Sequence, residues 1–240
     1  MLGILVQLLI SWLLIWLIQK KDLRVLGFKP TRSRLMHFVV FFLLTAICCA
    51  SGFLMRMLFA EERWQLNPQL TWKLLLDGIW YNIKSVLFEE LIFRGVILYI
   101  LINKIGVLKA ILISSAAFGI YHWFSFEILG NVSQMIFVFI ITGLMGAVLA
   151  YGYAKTFSLY IPCAIHLGWN FTQLFVFSNG NIGDGILIQV KPVPVVTVSY
   201  LIFSLITFLP IVSTLILNAL LIRRIPQQRP VDSNQNRIYR

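Results

Sequence analysis

Long apolar runs separated by short polar segments make up most of this chain. A helix needs about 20 apolar residues to span the hydrocarbon core of a bilayer, and each run approaches or exceeds that length. The pattern therefore predicts an all-α fold, a polytopic transmembrane helical bundle of about seven spans. In chain order the predicted spans cover about residues 1–18, 37–59, 86–102, 107–126, 132–153, 159–177 and 195–222.

The polar segments divide the chain further. Trp72, Lys73, Asp77 and Trp80 alternate with apolar residues before the third span, which predicts an interfacial amphipathic helix there. Residues 1–224 are expected to form a single transmembrane domain. Residues 225–240 are polar and carry two prolines, and they are expected to form a disordered, basic cytoplasmic tail.

The composition supports a membrane protein and excludes a nucleic-acid partner. Hydrophobic residues make up 59% of the chain and charged residues only 12%, against about a quarter charged in soluble domains. The formal net charge is +11, but the basic residues lie in the short segments between apolar runs, as the positive-inside rule describes. We expect a multi-pass protein of the plasma membrane, with its N-terminus outside. The three cysteines follow neither a disulfide nor a metal-site spacing.

The third span carries three charged residues in an otherwise apolar run. A charge at membrane depth costs roughly 2.5–3.5 kcal/mol on insertion scales. Glu90 and Arg94 are four residues apart on one helix face, in the favourable order for an ion pair, and Glu89 points about 100° away. The spacing predicts that Glu90 and Arg94 pair and that Glu89 has a separate role. A purely structural ion pair, with Glu89 at a water-filled edge, is the simplest alternative.

Three further polar residues lie within apolar spans. His122 is in the fourth span, and His166 and Asn170 share one face of the sixth, four residues apart. Intramembrane ionisable groups tend to face the bundle interior and mark a functional site. Two chemistries remain open from the residues alone. Two imidazoles and a carboxylate could hold a hydrolytic zinc ion, or a glutamate could act as general base to a water without a metal.

The charged and polar positions resemble three motifs of a known family. Glu-Glu-x-x-x-Arg at 89–94, Phe-x-x-x-His at 118–122 and His-x-x-x-Asn at 166–170 are similar to those of the CAAX prenyl protease and bacteriocin-processing family (CPBP, or Abi). The flanking segments 114–118 and 158–162 also resemble it. The resemblance covers about residues 79–177, in which all three motifs occur in the family's order.

This resemblance implies an intramembrane glutamate endopeptidase that needs no cofactor and no metal. Glu89 would activate a water, His122 would assist it, and His166 with Asn170 would form the oxyanion hole. Glu90 and Arg94 would support the site. The implied substrate is a membrane-embedded peptide or protein, and the short chain is more similar to the bacterial branch, whose members are linked to peptide processing, bacteriocin immunity and regulation of membrane sensor kinases.

Two other classes of function compete with the peptidase. One is a catalytically silent partner that binds a peptide or sensor kinase within the bilayer, and the other is a proton-coupled transporter that uses Glu89 and the histidines as a relay. The position of Glu89 near the start of the third span also leaves a choice. Either a water-filled cavity opens to the outer side, or the third span begins earlier, near Ile79.

Overall fold

The computed structural model of the protein describes residues 2–178 and 185–228. This part of the chain is mainly helical, which confirms the predicted all-α membrane bundle, and it also contains three very short strands. The helices are α1 (Leu2–Gln19), α2 (Arg32–Phe59), α3 (Trp72–Phe93), α4 (Val96–Ile105), α5 (Val107–Ser125), α6 (Val132–Thr156), α7 (Tyr160–Asn170) and α8 (Tyr200–Arg224). The strands are β1 (Trp64–Leu66), β2 (Phe177–Ser178) and β3 (Leu187–Gln189).

Five of these helices are long and apolar enough to cross a membrane, namely α1, α2, α5, α6 and α8. Their large side chains are often exposed; Leu9 on α1, for example, is 63% exposed. Exposed leucines on this scale would be unfavourable in water, whereas lipid tails provide an apolar surrounding for them. The protein is therefore a multi-pass membrane protein, as predicted.

The third predicted span differs from the observed helices at both its start and its middle. Helix α3 begins at Trp72, so the segment predicted as a separate interfacial helix is the first part of α3, and no break separates the two. The helix thus begins well before Val86, whereas the depth of Glu89 in the membrane stays a prediction. The helix predicted to continue to Ile102 is instead interrupted at Arg94 and Gly95, and α4 follows.

Gly95 explains the interruption. A Cβ atom at this position would collide with the carbonyl oxygen of Leu91. Only glycine therefore permits this local path of the backbone. A single glycine within an apolar run gives little sign of such a break, which is why the sequence predicted a continuous helix.

The sixth predicted span is also irregular. Helix α7 ends at Asn170 and continues into a π-helical segment, Phe171–Val176, before the chain enters β2. Short π-helical segments are rare and frequently occur at functional sites. The span predicted to end at about Phe177 is therefore helical as far as Val176, with a π-helical rather than an α-helical last part.

Contacts within the chain form two compact units. The first unit comprises Met1–Phe38, Leu87–Cys163 and Ala219–Arg240, and the second comprises Val39–Val86 and Ala164–Asn218. The single domain expected over residues 1–224 stays a prediction.

The apolar core of the first unit joins α1, α4 and the end of α6. Its largest fully buried side chains include Tyr99 and Tyr153. Helices α5 and α6 also pack closely in this unit: a Cβ atom at Gly119 of α5 would lie only 2.7 Å from Cδ2 of Phe139 of α6. Small residues at such positions permit close helix packing in lipid, where dispersion contacts replace the hydrophobic effect.

At one end of the first unit, the basic loop after α1 is held against the turn between α6 and α7. The hydroxyl of Tyr153 donates to the carbonyl oxygen of Val25 at 2.9 Å, and the N–H of Leu159 donates to Leu26 O at 3.1 Å. Nδ2 of Asn103, at the end of α4, lies 3.4 Å from Oε1 of Gln19 at the end of α1. The segments predicted to be cytoplasmic thus lie together at one end; which side of the membrane they face stays a prediction.

The second unit contains the three strands, which form a small sheet in the order β1-β3-β2. Strands β1 and β3 are antiparallel and β2 and β3 are parallel. The rings of Phe53 and Phe177 stack with centroids 4.3 Å apart, and Trp64 packs edge-on against both. β1 and β3 lie between predicted spans, and β2 begins at the last residue of the sixth predicted span. Strands of two or three residues are too short to show an alternating pattern.

The predicted disordered tail begins within the described residues. The N–H of Gln228 donates to Lys155 O at 2.9 Å, and Nε2 of Gln227 donates to Ala154 O at 2.7 Å. The first residues after α8 are therefore attached to the end of α6. The rest of the predicted tail, 229–240, lies outside the described residues, as does 179–184 of the loop before β3.

Candidate active site

The predicted ion pair of the third span is present in the first unit. Nη1 of Arg94 lies 3.1 Å from Oε1 of Glu90, and both side chains are fully buried. The backbone N–H of Arg94 still donates to Glu90 O at 2.8 Å, so the α-helical hydrogen-bond pattern continues as far as Arg94. The predicted pairing of Glu90 with Arg94 is confirmed.

The guanidinium of Arg94 has two further contacts from neighbouring helices. Its central carbon lies 4.0 Å from the ring centroid of Phe118 on α5, and Nη2 donates to the carbonyl oxygen of Gly146 on α6 at 3.4 Å. A cation over an aromatic face gains roughly 0.5–2 kcal/mol, most when water is excluded. Arg94 therefore connects three helices, and its charge is compensated from several directions.

Gly146 provides the space for this arrangement. A Cβ atom there would lie 3.1 Å from Cδ1 of Phe118 and 3.3 Å from Nη2 of Arg94. Both distances are shorter than ordinary van der Waals contact, so a larger residue would push the ring or the guanidinium away. Nothing local in the sequence connects Gly146 with Arg94.

His122 is one helical turn beyond Phe118 on α5 and is also buried. Its Nδ1 lies 2.7 Å from Phe118 O. Because a carbonyl oxygen can only accept, Nδ1 carries the proton, and in the neutral ring Nε2 carries the lone pair. The rings of Phe118, Tyr121 and Phe126 surround the imidazole with centroids 4.5–5.4 Å away. His122 thus has a defined orientation and the tautomer needed to accept a proton at Nε2.

Glu89 precedes the paired Glu90 and lies in the same unit as His122. Glu89 is 9% exposed, so its carboxylate is largely shielded from bulk solvent. About 100° of rotation separates it from Glu90 along the helix. Glu90, the next residue, is the acid whose Oε1 lies 3.1 Å from Nη1 of Arg94.

The junction between α3 and α4 is held by a hydroxyl. Oγ of Ser114, on α5, donates to the carbonyl oxygen of Phe93 at 2.8 Å. Carbonyl groups at a helix C-terminus have no partner within the helix, and this hydrogen bond satisfies one of them directly beside Arg94. The flanking Ser114 of the resemblance therefore has a structural explanation that the sequence did not provide.

His166 and Asn170 lie in the second unit, on α7 and one turn apart as predicted. His166 is 6% exposed and Asn170 is half-buried. Between them, Gly168 approaches α2 closely: a Cβ atom there would lie 2.6 Å from Phe42 O. The π-helical segment follows Asn170 directly. The side chains that the sequence assigned to an oxyanion hole are thus on a tightly packed helix end.

A cavity of about 220 Å³ adjoins this part of the second unit. Trp169 and Gln173 line it from α7 and the π-helical segment, and Cys49 and Arg56 line it from α2. Thr207 and Pro210 complete the lining from α8. The lining is mainly apolar with a few polar groups, as in many ligand sites.

Metal binding receives no geometric support from the part of the chain that the structure describes. Over residues 2–178 and 185–228, no three His, Cys, Asp or Glu side chains are grouped as ligands of one metal ion would be. The three cysteines are all unpaired thiols.

These observations define a class: a helical membrane protein with a buried acid–guanidinium pair and an oriented histidine on neighbouring helices. Residues 71–172 match a family model described as type II CAAX prenyl endopeptidase Rce1-like. The predicted resemblance to the CAAX prenyl protease family is therefore confirmed, and the match includes every predicted site residue. At the family level it supports a CAAX-type intramembrane protease. No curated protein and no solved structure matches the chain.

Proposed function

We propose that the protein is an intramembrane endopeptidase that hydrolyses a peptide bond of a membrane-embedded peptide or protein. The observation that carries this proposal is the family match over residues 71–172. Within it lie Glu89, His122, His166 and Asn170, which supply the acid, base and hydrogen-bond donors that peptide hydrolysis needs.

In this proposal Glu89 is the general base. Glu89 takes a proton from a water molecule as the water oxygen attacks the peptide carbonyl carbon. The proton then passes to the leaving amine. His122, whose Nε2 carries the lone pair in the neutral ring, orients the same water and shares its proton.

His166 and Asn170 stabilise the oxyanion that forms when the carbonyl carbon becomes tetrahedral. Both side chains can donate a hydrogen bond, and hydrogen bonds placed where negative charge develops lower the barrier more than they strengthen substrate binding. Glu90 and Arg94 support the site without touching the reacting atoms. The cavity of about 220 Å³ that Trp169 of α7 lines in the second unit offers a place for a side chain of the bound peptide.

The branch of the family and the substrate are also proposals. Single spans joined by minimal loops favour the bacterial branch and a place in the bacterial plasma membrane, where leader or signalling peptides would be substrates. A silent partner in bacteriocin immunity or sensor-kinase regulation is the alternative from another class. Both assignments use the same residues, so turnover is the property that separates them.

The test is single-turnover cleavage of membrane peptides by the purified protein reconstituted in vesicles. Glu89→Gln keeps the shape of the side chain but cannot accept a proton, so we expect cleavage to be lost while the protein remains folded. Glu127→Gln, a change of the same type outside the predicted motifs, serves as the control. Cleavage by Glu89→Gln at the parent rate would overturn the general-base assignment.

A chelator separates the two chemistries that the residues left open. A water-activating glutamate works without a metal, so we expect cleavage to continue in strong chelator. A zinc enzyme would lose its metal and its activity together and would regain both when zinc is added. Zinc-reversible loss of cleavage would place Glu89 and the histidines in a metal site instead.

A further inference from the structure

The basic loop after α1 encloses a cavity that the proposed peptidase chemistry does not use. The cavity has a volume of about 530 Å³ and lies wholly within the first unit. Its walls come from the loop between α1 and α2, from the first turn of α2, and from Gln228 after α8. It lies at the end of the unit where the predicted cytoplasmic segments meet.

The lining has one sign of charge. Arg24, Lys29 and Arg34 line the cavity, and none of its lining residues within 2–178 and 185–228 is acidic. Asp22 lies close by, and its carboxylate accepts from Nε of Arg24 at 2.9 Å. This hydrogen bond keeps the pKa of Asp22 below its usual range, so the acid stays charged and offsets Arg24. Lys29 and Arg34 then remain as the excess positive charge.

Hydrogen-bond donors and apolar groups occur beside these cations. Thr31 and Ser33 line the cavity at the start of α2, where the N–H of Arg34 donates to Oγ1 of Thr31 at 3.3 Å. Phe28 contributes an apolar wall. A site of cations and hydroxyl groups with an apolar border matches a ligand that has a phosphate group at one end and a hydrocarbon part at the other.

The floor of the cavity is held in place by hydrogen bonds. Oγ of Ser158 donates to Gly27 O at 3.3 Å, and the hydroxyl of Tyr160 donates to Phe28 O at 3.2 Å. Gly27 has a left-handed backbone with φ of 67°, and a Cβ atom there would lie 2.5 Å from Phe157 O. Nη1 of Arg34 donates to Lys29 O at 2.8 Å. The loop is therefore preformed, because these hydrogen bonds fix its conformation without a ligand.

We propose that this cavity binds the phosphate-containing head group of an anionic phospholipid, with Lys29 and Arg34 as its main charge contacts. A membrane protein meets such lipids at high local concentration, and basic pockets at helix ends recognise their head groups. The positive-inside pattern predicts that this end faces the cytoplasmic leaflet, where anionic lipids supply a negative surface. This inference is independent of the peptidase proposal.

The experiment uses the full chain in nanodiscs of mixed phosphatidylglycerol and phosphatidylcholine, followed by mass spectrometry of the lipid that stays bound on release. We expect the parent to retain phosphatidylglycerol preferentially. Lys29→Gln with Arg34→Gln should lower the retained ratio of the two lipids roughly 10- to 30-fold, since each cation near a lipid surface contributes about a fivefold effect. Lys29→Glu alone, at an exposed loop position, provides a second variant that leaves the Arg34 contact intact.

The matched control is Lys104→Gln with Lys109→Gln, which removes the same charge from the turn between α4 and α5 without altering the cavity. Equal loss in both double variants would show a general surface-charge effect and overturn the site. Displacement of the lipid by inorganic phosphate alone would make the ligand a soluble phosphate. If phosphatidylglycerol were retained only after removal of residues 229–240, this tail rather than a lipid would be the natural occupant. Displacement by phosphate and retention only after truncation would each overturn the proposal.

Discussion

The guanidinium of Arg94 lies over the ring of Phe118, 4.0 Å from its centroid. The carbonyl oxygen of the same phenylalanine lies 2.7 Å from Nδ1 of His122. One residue of α5 therefore contacts the buried cation through its ring and orients the histidine through its backbone. This explains physically why a phenylalanine precedes the histidine by one helical turn.

Phe118→Leu should reduce both stability and cleavage. The change removes the cation–π contact of about 0.5–2 kcal/mol and the edge-to-face contact with Phe93, whose ring centroid is 5.1 Å away. The imidazole also loses one of its aromatic neighbours, so its orientation is less restricted. Thermal unfolding in detergent and single-turnover cleavage measure the two effects.

Phe124→Leu is the control for this change. Phe124 lies on the same helix, but it is 60% exposed, and leucine is equally compatible with a lipid-facing position. We expect its melting temperature and cleavage rate to stay close to those of the parent. If Phe124→Leu and Phe118→Leu behaved alike, the contacts of Phe118 would have no special importance.

Gly146→Ala should be destabilising, although alanine is normally favoured over glycine within a helix. The added methyl group would meet Phe118 at 3.1 Å and the Arg94 guanidinium at 3.3 Å. Inserting a methyl group into a packed core costs typically 1–3 kcal/mol. Thermal unfolding provides the measurement, and cleavage should fall with it because the ion pair is displaced.

Gly143→Ala is the matched control, one turn earlier on α6. A Cβ atom there would have Ser115 O at 3.7 Å as its nearest neighbour, which is ordinary contact. The intrinsic preference for alanine, about 0.5–1 kcal/mol, should then make this variant equal to the parent or slightly more stable. Equal destabilisation by both changes would indicate that tight α5–α6 packing in general, rather than the Arg94 surroundings, limits the size of these residues.

Glu90→Leu and Arg94→Leu should each lower the amount of folded protein, and the double change should recover part of the loss. Removing one member leaves an uncompensated buried charge, at a cost of typically about 3–5 kcal/mol. An apolar pair of similar size avoids that cost. Unfolding of the four proteins in detergent forms a double-mutant cycle. Additive losses would mean that the two side chains are not coupled, despite their separation of 3.1 Å.

Asn170→Ala should lower kcat roughly 10²–10³-fold, with a much smaller change in peptide affinity, because an oxyanion donor acts mainly on the transition state. His166→Ala should have a similar effect, and the double change should be less than multiplicative. Cleavage is measured in a single turnover, and peptide binding is measured separately on the Glu89→Gln background. Parallel loss of affinity and rate would assign these residues to substrate binding alone.

Much of the fold follows from local patterns in the sequence. The long apolar runs predicted the five spans α1, α2, α5, α6 and α8, because length and apolar character alone decide whether a helix suits a bilayer. The pairing of Glu90 with Arg94 was also predictable, since residues four apart share a helix face whatever surrounds them. His166 and Asn170 share a face of α7 for the same reason.

Other features depend on residues that are distant in sequence. Arg94 contacts Phe118 and Gly146 on two other helices, and β1 pairs with β3 across more than half of the chain. Their partners are chosen by how helices and loops pack, and no local spacing records that choice. The sequence alone thus determined the long apolar spans and the pairing of Glu90 with Arg94, whereas tertiary packing decided which neighbouring helices hold the Arg94 guanidinium, since its contacts with Phe118 and Gly146 exist only between helices.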